Sequence, residues 1–279
     1  MIFVCLSNLQ VFKQTPLSAT KKIFFASDFH LGMPNKDVSL EREKKIIDWL
    51  NHCTPQAEAI YLVGDVFDFW FEYQRSVPKG FVRFLGTLAN ITDQGIPIYL
   101  FPGNHDLWVS DYLVKECGVT LIREAHEFMV EGKRFYVHHG DGLGPGDFSY
   151  KILKKIFTAR SARFLFQWIH PNLGIALAHK LSKKSRLAQN PKEDHYLGNQ
   201  KEHLSQFVSQ HLASVSPPGE KPDFYIFGHR HLVLDVQLDT ARYINLGEWL
   251  YGSQYAVFDG ESLQLLQWPS QQPAKSQNQ

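Results

Sequence analysis

Five short apolar runs in this 279-residue chain each stop at a side chain able to bind a metal ion. The run Ile23–Ala26 is followed by Asp28 and His30, and "AIYLVGD" by Asp65. "IPIYLFPGNHD" is followed by Asn104 and His105, "RFYVHHGD" by His139, and "FYIFGHRH" by His229 and His231. Short apolar runs bounded by Gly, Asn or Asp read as strands covered on both faces. Between the first three lie two amphipathic helices. "SLEREKKIIDWLNHC" is expected to start at Ser39 as N-cap, and "FVRFLGTLANITDQG" to close at Gly95. This β-α-β-α-β order predicts a parallel or mixed sheet with helices packed on it. Strand alternation places Asp28 and His30 on one face, beyond the strand end where such sheets bind ligands.

A single histidine at a strand end is more often structural than a ligand. Five such ends do not arise by coincidence in a chain with 13 histidines. The donors are Asp28, His30, Asp65, Asn104, His139, His229 and His231, with no thiolate, a set suited to Mn, Fe, Co or Zn. They are too many for one tetrahedral ion and about right for two ions sharing a carboxylate. Ion pairs about 3.5–4 Å apart clamp the attacking and leaving oxygens of a displacement at phosphorus. The pattern therefore predicts hydrolysis of a phosphoester or phosphoanhydride.

The remaining sequence bounds the setting. Cys5, Cys53 and Cys117 are scattered and odd in number, which fits a reducing, cytoplasmic compartment and no disulfide framework. No stretch approaches the roughly 18 apolar residues of a membrane span. Residues 1–20 lack a basic n-region and read as a flexible extension, and residues 269–279 as a disordered tail. The expected domain is 21–268. It contains a hairpin turning at Glu131-Gly132, a strand-rich C-terminal third with turns at Asp239-Thr240 and Asp259-Gly260, and a helical insert at about 147–214.

That insert divides the molecule electrically. From Phe148 to Lys192 there is no Asp or Glu, against ten Lys and Arg, although the whole chain is at +1. Cations alternate with Ile152, Leu153, Ile156, Phe157, Phe164, Leu165, Phe166, Trp168 and Ile169. Such a segment suits an anionic inner-membrane surface, where it would lie in the interface plane. It would equally wall a pocket for an acylated, phosphate-bearing ligand, or its apolar residues would simply pack on the core. Nucleic acid is not expected, because so many of these residues are aliphatic.

Asp28-x-His30, Gly64-Asp65-x-x-Asp68, Gly103-Asn104-His105-Asp106, His139-Gly140 and Gly228-His229-x-His231 resemble the five ordered motifs of the calcineurin-like metallophosphoesterases. The resemblance implies an α/β fold, a double β-sheet sandwich flanked by helices (α/β/β/α), here with an inserted helical lid. It implies two divalent ions, most simply Mn2+. One is held by Asp28, His30, Asp65 and His231, the other by Asp65, Asn104, His139 and His229, with a bridging hydroxide as nucleophile. It further implies that His105, oriented by Asp106, stabilises or protonates the departing oxygen, and that Asp68 supports the ligands through hydrogen bonds.

Within that family, "GDVFDFW", "HGDGLGPGDFSY" and "NLGEW" are most similar to the UDP-2,3-diacylglucosamine pyrophosphohydrolases of lipid A biosynthesis. This implies an acylated UDP-sugar substrate, cleaved to UMP and 2,3-diacylglucosamine 1-phosphate by an enzyme peripheral to the inner membrane. Asp147, Tyr150, Ser185 and Lys192 match substrate-contacting positions. One position departs: well-studied members of that subfamily carry Arg where this chain has His105, and Arg cannot act as an acid. A soluble hydrolase of another nucleotide sugar, phosphodiester or phosphomonoester is the alternative. A metal-bound, non-catalytic scaffold is a further one, which a missing ligand would signal.

Overall fold

A computed structural model describes residues 17, 20–146, 148–174, 195–196, 198–215, 217–269 and 272–273. Among the described residues, twelve strands form two sheets. The first joins β1 (Lys22–Ala26), β2 (Ala57–Val63), β3 (Ile98–Phe101), β4 (Thr120–Leu121), β10 (Gln254–Phe258), β11 (Leu263–Gln267) and β12 (Gln272–Pro273) in the order β12-β11-β10-β1-β2-β3-β4. The second has the order β5-β6-β7-β9-β8, from β5 (His126–Val130), β6 (Lys133–Val137), β7 (Phe224–Phe227), β8 (Val233–Leu238) and β9 (Ala241–Leu246). The strands β1, β2 and β3 run parallel, as do β6, β7 and β9. Loops leaving their C-terminal ends therefore collect at one edge of the molecule, and all five predicted ligand segments follow these strands.

Apolar residues on both faces of the strands explain the layering. Inner faces meet through Ile23, Phe25, Ala59, Tyr61, Phe135, Ile226, Ile244 and Phe258. On the outside of the first sheet lie helices α1 (Lys36–Cys53) and α2 (Val82–Asp93), burying Ile46, Trp49, Leu50, Phe84 and Leu88. The short α3 (Tyr112–Cys117) adds Leu113 to that core. Outside the second sheet, Leu204, Val208 and Leu212 of α6 (His203–Ser214) cover Tyr225, Phe227 and Tyr243. The result is the expected α/β/β/α order.

Local boundaries differ from expectation in instructive ways. Asn35, not Ser39, caps α1, its side chain accepting from the Val38 N–H at 3.0 Å. Ser39 lies one turn inside, where its hydroxyl accepts from the Gly32 N–H at 2.7 Å and ties the helix to the loop after β1. Helix α2 has no cap of its own: Phe81 precedes it at φ 59, and Glu43 of α1 accepts the Phe84 N–H at 3.1 Å. Glu131 and Gly132 form the β5–β6 turn with φ 49 and 72, the geometry a two-residue hairpin requires. Leu17, in the expected extension, packs on the inter-sheet core, and Gln272–Pro273 forms an edge strand within the expected tail. The insert is helical at α4 (Phe148–Thr158), α5 (Arg160–Phe166) and α6, but not over 198–202. Asp147, Ser185 and Lys192 lie outside the described residues.

Phe25 is the centre of the inter-sheet layer, fully buried, with its ring 5.0 Å from Tyr61 and 6.0 Å from Phe135. Phe25→Ala should cost about 3–5 kcal/mol of stability, read by urea unfolding with unchanged slope.

Candidate metal centre

The strand period does not bring Asp28 and His30 together. Strand β1 ends at Ala26, and both residues lie past it in left-handed conformation, at φ 56 and 44. Their N–H groups donate to the carbonyls of Gly64 and Asp65 at 3.0 and 2.9 Å, so the loop after β1 is zipped to the loop after β2. Asp65, His229 and His231 share this conformation, at φ 51, 69 and 55. Five of the seven predicted ligands thus occupy a backbone region that non-glycine residues avoid, which is typical of sites where surrounding structure imposes the geometry. Part of that structure is Arg42 on α1, a buried residue that sequence patterns did not single out. Its guanidinium donates to the carbonyls of His30 and Met33 at 2.6 and 2.5 Å. The Asn245 amide holds the Gly228 carbonyl at 2.6 Å, and the Trp249 N–H holds that of Asp28 at 3.1 Å.

Two sets of donors result, with Asp65 in both. Asp28, His30, Asp65 and His231 each offer one atom within 4.8 Å of the others. In this set His30 Nε2 is 3.0 Å from His231 Nε2, and His231 Nε2 is 3.3 Å from Asp28 Oδ1. In the other, Asn104 Oδ1 lies 2.8 Å from His229 Nδ1 and 3.3 Å from His139 Nε2, which is 3.6 Å from Asp65 Oδ2. The His139 Nδ1–H donates to the Val63 carbonyl at 2.8 Å, leaving Nε2 as a lone-pair donor for a cation. Asp28 Oδ1 and His30 Nδ1 are buried without hydrogen-bond partners among the described residues. Buried carboxylate oxygens ringed by imidazole nitrogens fit divalent cations in donor type, and Asp28, His30, Asp65 and His231 lie close enough to share one.

Glycine makes the packing possible. A Cβ on Gly103 would sit 2.1 Å from Asp65 Oδ1, one on Gly64 2.2 Å from His139 Nδ1, and one on Gly228 2.5 Å from Asp28 Oδ2. No side chain fits at these three points.

The charges are strongly coupled. Burial opposes ionisation of Asp28 and Asp65, yet the surrounding histidines hold both carboxyls below their ordinary range. Burial works against a proton on His139, but the Asp65 carboxylate outweighs it and raises His139 to about 10. His229, buried and beside His139, is lowered to about 3. Protons on imidazole therefore balance the carboxylates until cations replace them.

His105 sits beside the first set, its ring centroid 4.9 Å from that of His30. Its Nδ1 lies 3.2 Å from the Asp68 carbonyl and 3.5 Å from Asp68 Oδ1, so the residue its ring faces is Asp68. Asp106 does a different job from the expected one. Fully buried, it accepts the backbone N–H groups of Gly103 at 2.6 Å and Phe67 at 3.2 Å, joining the loops after β2 and β3. Burial and the neighbouring Asp65 raise its carboxyl to about 7. Tyr150 of α4 bonds through its hydroxyl to Asp141, with its ring 6.5 Å from that of His229.

Against this edge lies the insert. Phe166 nests among Phe71 and Trp108, each 4.6 Å away between centroids, and the Trp108 indole N–H donates to the Phe157 carbonyl at 2.7 Å. Phe148, Ile152, Ile156, Leu165 and Trp168 remain exposed, Trp168 at 76%. Simple packing on the core does not account for them.

Metal binding must displace the proton on His139, so affinity should rise with pH through the neutral range and binding should release protons. Calorimetric titration with Mn2+ in buffers of different ionisation enthalpy measures this; no buffer dependence would contradict the charge arrangement. Asp65→Ala should remove both sites, bringing bound metal to near zero by elemental analysis.

Comparison with known proteins agrees with this geometry. The calcineurin-like phosphoesterase family pattern matches residues 21–233. The chain is 38% identical over 256 residues to a UDP-2,3-diacylglucosamine hydrolase of Porphyromonas gingivalis, covering 88% of this chain and 96% of that protein. It is 29% identical to the protein of the same name from Aeromonas hydrophila, covering 81% and 89%, and 26% identical to that of Pseudomonas fluorescens, covering 87% and 98%. With the family pattern spanning most of its length and Asp28, His30, Asp65 and His231 converging beyond the ends of parallel strands, this chain belongs to the calcineurin-like phosphoesterases.

Proposed function

We propose that the chain is a two-metal hydrolase that cleaves the diphosphate of UDP-2,3-diacylglucosamine, yielding UMP and 2,3-diacylglucosamine 1-phosphate. The observation that carries this reading is the exposed apolar surface of α4 and α5 beside the metal centre, in a chain whose relatives bear that enzyme's name. An acyl-bearing substrate needs such a surface; a small soluble phosphoester does not.

Asp28, His30, Asp65 and His231 would hold one ion and Asp65, Asn104, His139 and His229 the other, most simply Mn2+. When bound, such ions supply a water of lowered pKa and neutralise phosphoryl charge. The remaining work falls to the chain itself. Asp68 holds the His105 ring towards the first set, where Nε2 can donate to the phosphoryl or the leaving oxygen. Asp106 keeps the backbone of Gly103 and Phe67 in place, so that Asn104 and Asp65 meet. Asp147, Tyr150, Ser185 and Lys192 are proposed to contact the substrate. Tyr150, bonded to Asp141, does so from the wall of the site.

No helix among the described residues is long and apolar enough to cross a membrane. The basic and apolar face of α4 and α5 is proposed to rest peripherally on the anionic inner-membrane surface, on the cytoplasmic side. The alternative, hydrolysis of an acyl-free nucleotide sugar or another phosphoester, draws on His105 standing where the pyrophosphohydrolases carry Arg.

Release of UMP from UDP-2,3-diacylglucosamine in detergent with Mn2+, and none from UDP-N-acetylglucosamine, is the expected result. Cleavage of both, or of a generic phosphodiester alone, would favour the alternative. His105→Ala should lower turnover about 10²-fold or more with bound metal unchanged. Parallel metal loss would mean that His105 is a ligand. Lys155→Glu with Arg160→Glu should abolish co-sedimentation with anionic vesicles at low salt while leaving neutral vesicles unaffected.

A further inference from the structure

Besides the aromatic packing of Phe157 and Phe166, two charged contacts among the described residues tie the insert to the body of the protein, and each ends on a loop that carries predicted metal ligands. At its entry, Asp141 follows His139 by two residues and is 2% exposed. Its Oδ2 accepts from the Tyr150 hydroxyl and lies 2.7 Å from the Lys154 Nζ, both on α4. Lys154 also reaches the Asp141 carbonyl at 3.3 Å, and Lys151 donates to the Gly144 carbonyl at 2.5 Å. The second carboxylate oxygen of Asp141 is buried with no hydrogen-bond partner among the described residues. The charge of this carboxylate is therefore balanced from one side by α4 and from the other by the histidines of the metal centre.

At the exit of the insert the arrangement repeats with signs reversed. Arg230 stands between His229 and His231, and its guanidinium forks onto Glu202, with Nε 3.1 Å from Oε1 and Nη2 3.3 Å from Oε2. Glu202 is 2% exposed and immediately precedes α6. A paired, planar contact of this kind fixes orientation as well as distance. Neither Asp141 nor Glu202 is in the donor sets. Each instead joins a ligand-bearing loop to one stem of the insert.

We propose that Asp141 and Glu202 are positioning residues that couple occupancy of the metal centre to the order of α4 and α6. The loops after β6 and β7 bring His139 and His229 to the Asn104 side-chain oxygen, and His231 to Asp28 and His30. Cations select one arrangement of His139, His229 and His231. Asp141 passes it to α4, and Arg230 through Glu202 passes it to α6. The wall over the metal pair is then set by the same loops that hold the ions. Coupling of this kind is reciprocal, so an ordered insert tightens metal binding by the same factor. The consequence for substrate rests on the proposed reading that the insert walls the acyl-sugar; the coupling itself does not.

The test is amide hydrogen exchange on the full chain, with Mn2+ and after chelation, following peptides from 148–166 and 203–214. Mn2+ should slow exchange at least fivefold in both segments of the wild-type protein. Asp141→Asn should abolish that slowing in α4 and keep it in α6, and Glu202→Gln should do the reverse, each with wild-type metal content at saturating Mn2+. If Asp141→Asn does not fold, Lys154→Met and Tyr150→Phe report on the same tie from the α4 side. Exchange in the insert that ignores Mn2+, or variants that keep the full effect, would overturn the proposal. So would loss of metal at saturation in Asp141→Asn, which would make that residue a prop for His139. As a second readout, Asp141→Asn should raise KM for the acylated substrate tenfold or more with kcat lowered less than threefold. A fall in kcat at constant KM would count against it. Exchange needs no substrate, so failure to cleave the UDP-lipid would overturn the proposed reaction and leave the coupling standing or falling on its own data.

Discussion

The buried carboxylate of Asp65 is the point on which both sheets depend. It arrives from the first sheet on a left-handed bend after β2, and His139 from the second sheet meets it at 3.6 Å. The loop after β1 bonds to its carbonyl through the His30 N–H, and the loop after β3 bonds to its side chain through the His105 N–H at 2.9 Å. A lone carboxylate in such a place would be severely destabilising. It persists because imidazoles surround it and because the architecture delivers five loops to one edge. Parallel pairing of β1 with β2 and β3, and of β6 with β7 and β9, accomplishes that delivery. The aromatic layer between the sheets fixes how far apart the two groups of loops stand.

Much of this was legible in the sequence, and what was not has a common physical cause. The strands declare themselves because each is apolar on both faces, and the ligands because metal-capable side chains follow each run directly. How the ligands converge was not legible. Asp28 and His30 look like alternate residues of a strand, but the convergence comes from backbone bends stabilised by the next loop. Composition carries no signal for a φ of 44 in a histidine. Likewise Arg42, Asp141 and Glu202 look like ordinary charged residues until their distant partners are seen. The orientation of His105 by Asp68 in place of Asp106 belongs here too. Asp106 is the chain neighbour, but its carboxylate turns inward to two backbone N–H groups. Sequence adjacency says little about side-chain direction in an irregular loop.

The insert shows the same division. Its basic charge and helical character could be read directly, whereas the choice of which apolar residues it buries could not. Phe157 and Phe166 face an aromatic nest built from Phe71 and Trp108, on loops far away in sequence, while their neighbours Ile156 and Leu165 point outward. A helix with apolar residues on more than one side has one face for its own protein and another for something else. The acyl chains of the proposed substrate and the proposed membrane surface would each supply the missing apolar partner, and the two are not exclusive.

The three glycines packed against the ligands carry a lesson about inventory. Gly64, Gly103 and Gly228 contribute no donor atom, yet a single methyl on any of them would overlap Asp65, His139 or Asp28. A descendant of this chain could keep all seven predicted ligands and be inert after one glycine-to-alanine change. Counting ligands is therefore an incomplete criterion for telling a working member of the family from a retired one. The space left empty between the ligands has to be inherited too.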